Sequence, residues 1–171
     1  MRNALLLILL LPCLLLTGCR AQTAPPAPLQ LAPAFTVNAE ILCGNASMKA
    51  TLRRSADQAL CAEFSDPPAI RPLTVRLAQG VCSVRYGEMN VTAAPERMPQ
   101  TLALSLLADV WETIARRADL TRTLTGGVWT INGSGDHGAF VFTYDAATGA
   151  PLTLSIEHAS LHVQFDHYQP G

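Results

Sequence analysis

Residues 35–54 read FTVNAEILCGNASMKATLRR, and the period of that stretch decides the fold class. Phe35, Val37, Ala39, Ile41 and Cys43 alternate with Thr36, Asn38 and Glu40. A period of two places one set on each face of a half-buried strand. Gly44-Asn45 supplies a turn. Met48, Ala50 and Leu52 then face inward, with Lys49, Thr51 and Arg53 outward. A third strand follows Ser55-Ala56-Asp57, with Leu60, Ala62 and Phe64 inward and Cys61 outward. Asp66-Pro67-Pro68 ends it, because proline cannot donate to a sheet ladder.

The same pattern continues towards the C-terminus. Short strands are expected at Leu73–Ala78, Val81–Tyr86 and Met89–Thr92, joined by connections so short that neighbours must be antiparallel. Strands return at Gly126–Asn132 and Ala139–Tyr144, around Gly133-Ser134-Gly135-Asp136, and at Leu152–His158 and Leu161–Phe165. Between these runs the period changes once. From Gln100 to Ala118, apolar residues fall at Ala103, Leu106, Leu107, Val110, Trp111 and Ile114, the stripe of an amphipathic helix. Glu112 and Arg116 stand at the favourable i, i+4 spacing. The chain therefore reads as α+β: a strongly curved antiparallel β half-barrel of about ten strands closed by one main amphipathic helix. A helix of about 19 residues is only ~28 Å long. Either the sheet closes around it or an apolar cleft remains beside it. The residues expected to line such a cleft are Ala62, Leu107, Val110, Ile114, Phe140, Phe142, Leu154, Ile156 and Phe165.

The N-terminus addresses location. Met1-Arg2 precedes an apolar run from Ala4 to Leu16, which Leu16-Thr17-Gly18-Cys19 closes. A basic start, an apolar middle and small residues before the cut make a secretory signal. Cysteine directly after them makes it a lipoprotein signal, with residues 1–18 removed and Cys19 carrying diacylglycerol. An uncleaved membrane helix is the alternative, but the run falls short of the roughly 20 residues that spanning requires, and Pro12 interrupts it. Residues 19–34 hold the lipidated cysteine and a tether with four prolines, which spans about 40 Å in extended geometry. Residues 35–168 form the folded domain. The expected location is the cell membrane, lipid-anchored on its extracytoplasmic face.

Loss of the single charge of Arg2 takes the formal net charge from −1 to −2. So mild and scattered a charge gives no reason to expect nucleic acid. Beyond Cys19 the mature chain keeps Cys43, Cys61 and Cys82. They read as small apolar residues in strands, with at most one disulfide among three thiols. His137, His158, His162 and His167 form no zinc-type spacing with cysteine, so no metal or other cofactor is expected. His158 and His162 flank a turn across which they could approach each other. Ser134, Asp136 and His137 hold the residue types of a hydrolytic triad in a segment of ordinary turn formers. No catalytic role is assigned to them, and no enzyme activity is expected. Trp111 and Trp129 read as core.

Taken together, lipobox, proline-rich tether, curved meander, mid-chain helix and two final hairpins resemble the LolA/LolB superfamily of lipoprotein carriers and receptors. The resemblance is nearest to the LolA-like lipoproteins of Gram-positive clostridia and their relatives. It is carried by FTVNAEILCGN, EFSDPP, SVRYGEMNV before MPQTLALSLLADVW, and FTYDAATGAPLTLSIEH, and it covers roughly residues 35 to 168. It implies a half-barrel with a cavity for acyl chains, and hence a membrane-anchored envelope lipoprotein that binds a lipid, lipopeptide or other amphiphile. Some members act instead by binding a protein, which leaves a second expectation: a non-enzymatic module that partners a cell-envelope protein such as a cell-wall hydrolase. The carriers have a helix before the first strand, where this chain has its proline tether.

Overall fold

A computed structural model describes residues 32–95, 102–117 and 119–171. The expected signal segment, Cys19 and all of the expected tether before residue 32 lie outside the described residues. The described strands are β1 (Phe35–Cys43), β2 (Ala46–Arg54), β3 (Leu60–Asp66), β4 (Leu73–Ala78), β5 (Val81–Tyr86) and β6 (Met89–Ala93), followed by β7 (Thr121–Thr125), β8 (Val128–Gly135), β9 (Gly138–Asp145), β10 (Pro151–Ile156) and β11 (Leu161–Pro170). Among the described residues one α-helix, α1 (Leu102–Arg116), lies between β6 and β7.

All eleven strands join one sheet in the order β6-β5-β4-β3-β2-β1-β11-β10-β9-β8-β7. Every described pairing is antiparallel. The chain builds one flank outward from β1, crosses through α1 to the opposite edge, and returns strand by strand until β11 pairs with β1. The two halves of the sequence meet at that central pair.

The expected half-barrel of about ten strands closed by the helix is corrected in two respects. There are eleven described strands, because Thr121–Thr125 is a strand that the apolar pattern concealed. Its residues TRTLT carry only one large apolar side chain, so alternation gave little signal. The sheet is also open. Closure would need β6 to pair with β7, and both remain terminal strands. The reason is what fills the interior. Helix α1 contacts β3 and β8, six strand positions apart in the sheet. The sheet therefore curls around the helix rather than onto itself.

The inner face follows the period of two through most of the sheet. Val37, Ala39, Ile41, Leu52, Ala62, Ile131, Phe142, Leu154, Ile156 and Val163 are buried against Leu104, Leu106, Leu107, Val110, Trp111 and Ile114 of the helix. At about 1.5–3 kcal/mol for each large apolar side chain removed from water, this face is the main stabilising term. Trp111 sits at its centre, edge-on to Phe35 at 5.1 Å and tilted against Phe165 at 6.2 Å. Among the described residues, the buried members of the core run from Phe35 to Phe165.

Strand β11 runs on to Pro170, past the point where alternation stops. Thr36 pairs with Gln169 and Asn38 with Asp166, so two residues, His167 and Tyr168, oppose Val37 alone. This is a β-bulge, with His167 at φ 50°. It moves the inward set from odd to even positions. Tyr168 consequently packs on Phe35 at 5.7 Å, where an unbroken strand would have turned it to solvent.

Candidate functional site

Structural placement brings the nine expected cavity residues together. Ala62 on β3, Leu107, Val110 and Ile114 on α1, Phe140 and Phe142 on β9, Leu154 and Ile156 on β10, and Phe165 on β11 all belong to one core cluster, each at 5% exposure or less. Three surface concavities lined by described residues lie elsewhere, and none includes any of the nine.

Exposed apolar surface is found at the margins of the same inner face. Cross-strand register shows this directly. Cys82, Val84 and Tyr86 on β5 pair with Ala93, Val91 and Met89 on β6, and Cys82 is fully buried, so this row faces inward. Yet Tyr86, Met89 and Val91 are 42%, 64% and 58% exposed. At the opposite margin Leu124 pairs with Trp129 and Arg122 with Ile131. Ile131 is wholly buried, whereas Leu124 is 52% exposed. Eleven strands at about 4.8 Å spacing extend for roughly 48 Å across the sheet, while a helix with its side chains is about 10–12 Å wide. Among the described residues, one helix therefore covers the middle and leaves both margins bare.

The β7 margin also carries charge. Arg122 points to the inner face, and its Nε is buried without a hydrogen-bond partner among the described residues. Its guanidinium lies near Tyr144, where burial raises the phenol above its usual range and the arginine partly opposes that shift. Tyr144 stacks with Trp129 at 6.4 Å and with Phe142 at 6.1 Å. Sequence reading missed Arg122. The available signal was its position two residues from both Leu120 and Leu124.

The glycine-rich turn serves packing. The β8–β9 reversal is Asp136-His137, with Gly135 opposite Gly138. Gly133 lies opposite Phe140, and a Cβ there would stand 2.5 Å from that ring. Gly135 admits the Asp109 carboxylate, which would stand 2.5 Å from an added Cβ. Burial raises the Asp109 pKa, His137 opposes the rise, Asp136 and Glu112 add to it, and the Asp136 N–H opposes it by donating a hydrogen bond. Ser134 lies on the outer face, and its carbonyl accepts a hydrogen bond from Arg117 at 3.1 Å. No hydrogen bond joins Ser134 Oγ to His137 among the described residues. His137 and His158 instead line an open concavity of about 620 Å³ with Leu106, Asp136, Gly138 and Ala159. His162 is not part of it; its Nδ1 is 2.8 Å from Ser155 Oγ.

Among the described residues, no group of three or more His, Cys, Asp or Glu is arranged to hold a metal ion. Cys43, Cys61 and Cys82 are free thiols. Burial and Glu63 push the Cys61 thiol up, while Arg53, Arg76 and Arg85 oppose that shift.

No family model matches the chain, and no curated protein does. Solved structures do. An uncharacterized conserved protein from Thermus thermophilus is similar over 82% of this chain and 80% of its own, with TM-score 0.54 and 10% identity. That likeness shows a shared fold. The LolA superfamily protein NE2245 from Nitrosomonas europaea is similar over 81% of this chain and 86% of its own, with TM-score 0.41 and 7% identity. PNGF-II is similar over 80% of this chain and 27% of its own, with TM-score 0.38 and 7% identity.

Proposed function

We propose that this chain is a lipid-anchored lipoprotein of the cell envelope, and that its domain binds the apolar part of an amphiphile along the inner face of the sheet. It acts by binding rather than by catalysis. Diacylated Cys19 holds it on the extracytoplasmic face of the membrane, and the proline tether lets it reach away from the bilayer. The observation that carries the reading is the bare inner face: Tyr86, Met89, Val91 and Leu124 are exposed on the side of the sheet that forms the core. Apolar side chains left in water on a curled surface favour an apolar ligand laid across them.

The test is a soluble form starting at Gln30, with circular dichroism to verify its fold and native mass spectrometry to detect bound lipid. Co-purified fatty acid, phospholipid or lipopeptide is the expected result. Met89→Asp combined with Val91→Asp should reduce binding at this margin with little change in melting temperature, since both side chains stand in solvent. A folded domain that takes up none of these amphiphiles overturns the reading.

A second reading has its own support. Strand β6 is terminal in the sheet and pairs through one edge only. It exposes Met89 and Val91 and has no Lys or Pro within its span, the usual blocks to edge pairing. A cell-envelope protein could add a strand there. In that case the aspartate pair would abolish protein capture in envelope extracts and leave lipid content unchanged.

A further inference from the structure

Arg122 distinguishes the two bare margins. It is a cation on the inner face of a sheet whose buried core is apolar. Among the described residues its Nε is buried with no acceptor and no carboxylate forms an ion pair with it, while the residue as a whole is half-buried. Leaving a buried N–H donor without an acceptor costs more than an ordinary hydrogen bond contributes net. Such groups are rare in folded proteins and have a local reason when they occur. Nearby side chains indicate one. Arg122 and Leu124 lie beside each other on the inner face of β7, opposite Ile131 and Trp129. The Trp129 ring stacks on Tyr144, whose hydroxyl lies within the field of the guanidinium. A cation thus sits next to an aromatic shelf and an exposed leucine. That juxtaposition matches a molecule with an anion at one end and a hydrocarbon chain behind it.

We infer that Arg122 is the head-group site for an anionic amphiphile, a carboxylate or phosphate attached to an acyl chain. The anion accepts hydrogen bonds from the guanidinium, a planar fork suited to both groups. The Tyr144 hydroxyl is available as a second donor. The chain lies over Leu124 and Trp129. Charge complementarity makes the choice of occupant: a neutral lipid would cover Arg122 without satisfying it. The inference rests on the amphiphile-binding reading and adds the class of head group to it.

The experiment uses the full lipidated chain in nanodiscs of zwitterionic lipid. Three photoactivatable probes share one acyl chain and end in a carboxylate, a phosphate or an alcohol. Cross-linked peptides are mapped by mass spectrometry. The wild-type protein should label at residues 121–131 about tenfold to a hundredfold more with an anionic probe than with the alcohol, the range expected for one hydrogen-bonded charge. Labelling by the carboxylate alone identifies a fatty-acid-like head, and labelling by the phosphate identifies a phospholipid-like one. Arg122→Gln should remove the preference and keep the labelling by the alcohol, while Arg122→Lys should retain most of it. If Arg122→Gln does not fold, the head-group preference of the wild type and its mapped position decide alone. Equal labelling by all three probes, or an anion preference that survives Arg122→Gln, overturns the inference and leaves amphiphile binding standing. No labelling by any probe overturns both.

Discussion

Gly133→Ala tests the packing that seats the second half of the sheet. The substitution adds one methyl group at a tightly packed spot on the inner face. An ideal Cβ would stand 2.5 Å from Cζ of Phe140 and 2.9 Å from both Cε1 of Phe140 and Cδ2 of Leu120. Real Cβ contacts do not approach so closely, so a neighbour must move. Phe140 is 2% exposed and Leu120 7%, so neither has open space to move into. Inserting a methyl into such a core costs about 1–3 kcal/mol. Losing a glycine lowers the entropy of the unfolded chain and returns about 0.4–1 kcal/mol. The net expectation is a loss of about 1–2 kcal/mol, or about 4–8 °C in melting temperature at roughly 4 °C per kcal/mol for a domain this size. Thermal melts followed by circular dichroism would measure it. The double substitution with Phe140→Leu discriminates further. Removing the ring should relieve the clash, so the pair should cost less than the sum of the single changes. An unchanged or raised melting temperature, with additive effects in the double variant, would refute the reasoning.

Three further outcomes are expected. Val110→Asp places a carboxylate where the side chain is 1% exposed, with a cost of several kcal/mol; a melting temperature equal to the parent's would mean that this helix face is not in the core. Asp109 has its pKa raised, chiefly by burial, so the folded protein holds that proton more tightly than the unfolded chain does, and stability falls as pH rises from the ordinary carboxylate range through the raised folded value. Asp109→Asn should flatten that part of the stability–pH curve, and an identical slope in both proteins would count against the burial. Cys19→Ala should leave an unprocessed precursor that takes up no labelled fatty acid, and a variant that still matures with label would remove the lipoprotein reading.

Local pattern and global assembly divide the fold between them. Alternation at 35–54 and at 139–165 identified most of the inner face, and the three-one spacing from Ala103 to Ile114 identified the buried side of α1, because burial on one face leaves its period in the chain. Thr121–Thr125 was not legible. A terminal strand gains its hydrogen bonds from one neighbour and needs few apolar residues, so TRTLT looks like a linker until Thr121 is seen opposite Asn132. The bulge at His167 was equally hidden, since two residues opposing one is a property of the pair of strands and not of either alone. The candidate site shows the same division. The nine expected cavity residues were recognised as inward-facing, but the period of a strand does not distinguish a residue beneath the helix from one beyond its reach. Met89 and Val91 have the same pattern as Leu52 and Ala62, and Arg122 breaks the apolar pattern where it faces inward. Which of them meets the helix depends on how far eleven strands extend past one helix, a distance set by tertiary packing. What the sequence by itself determined is which side of each strand avoids water; what only the tertiary structure decided is where that side runs out of cover.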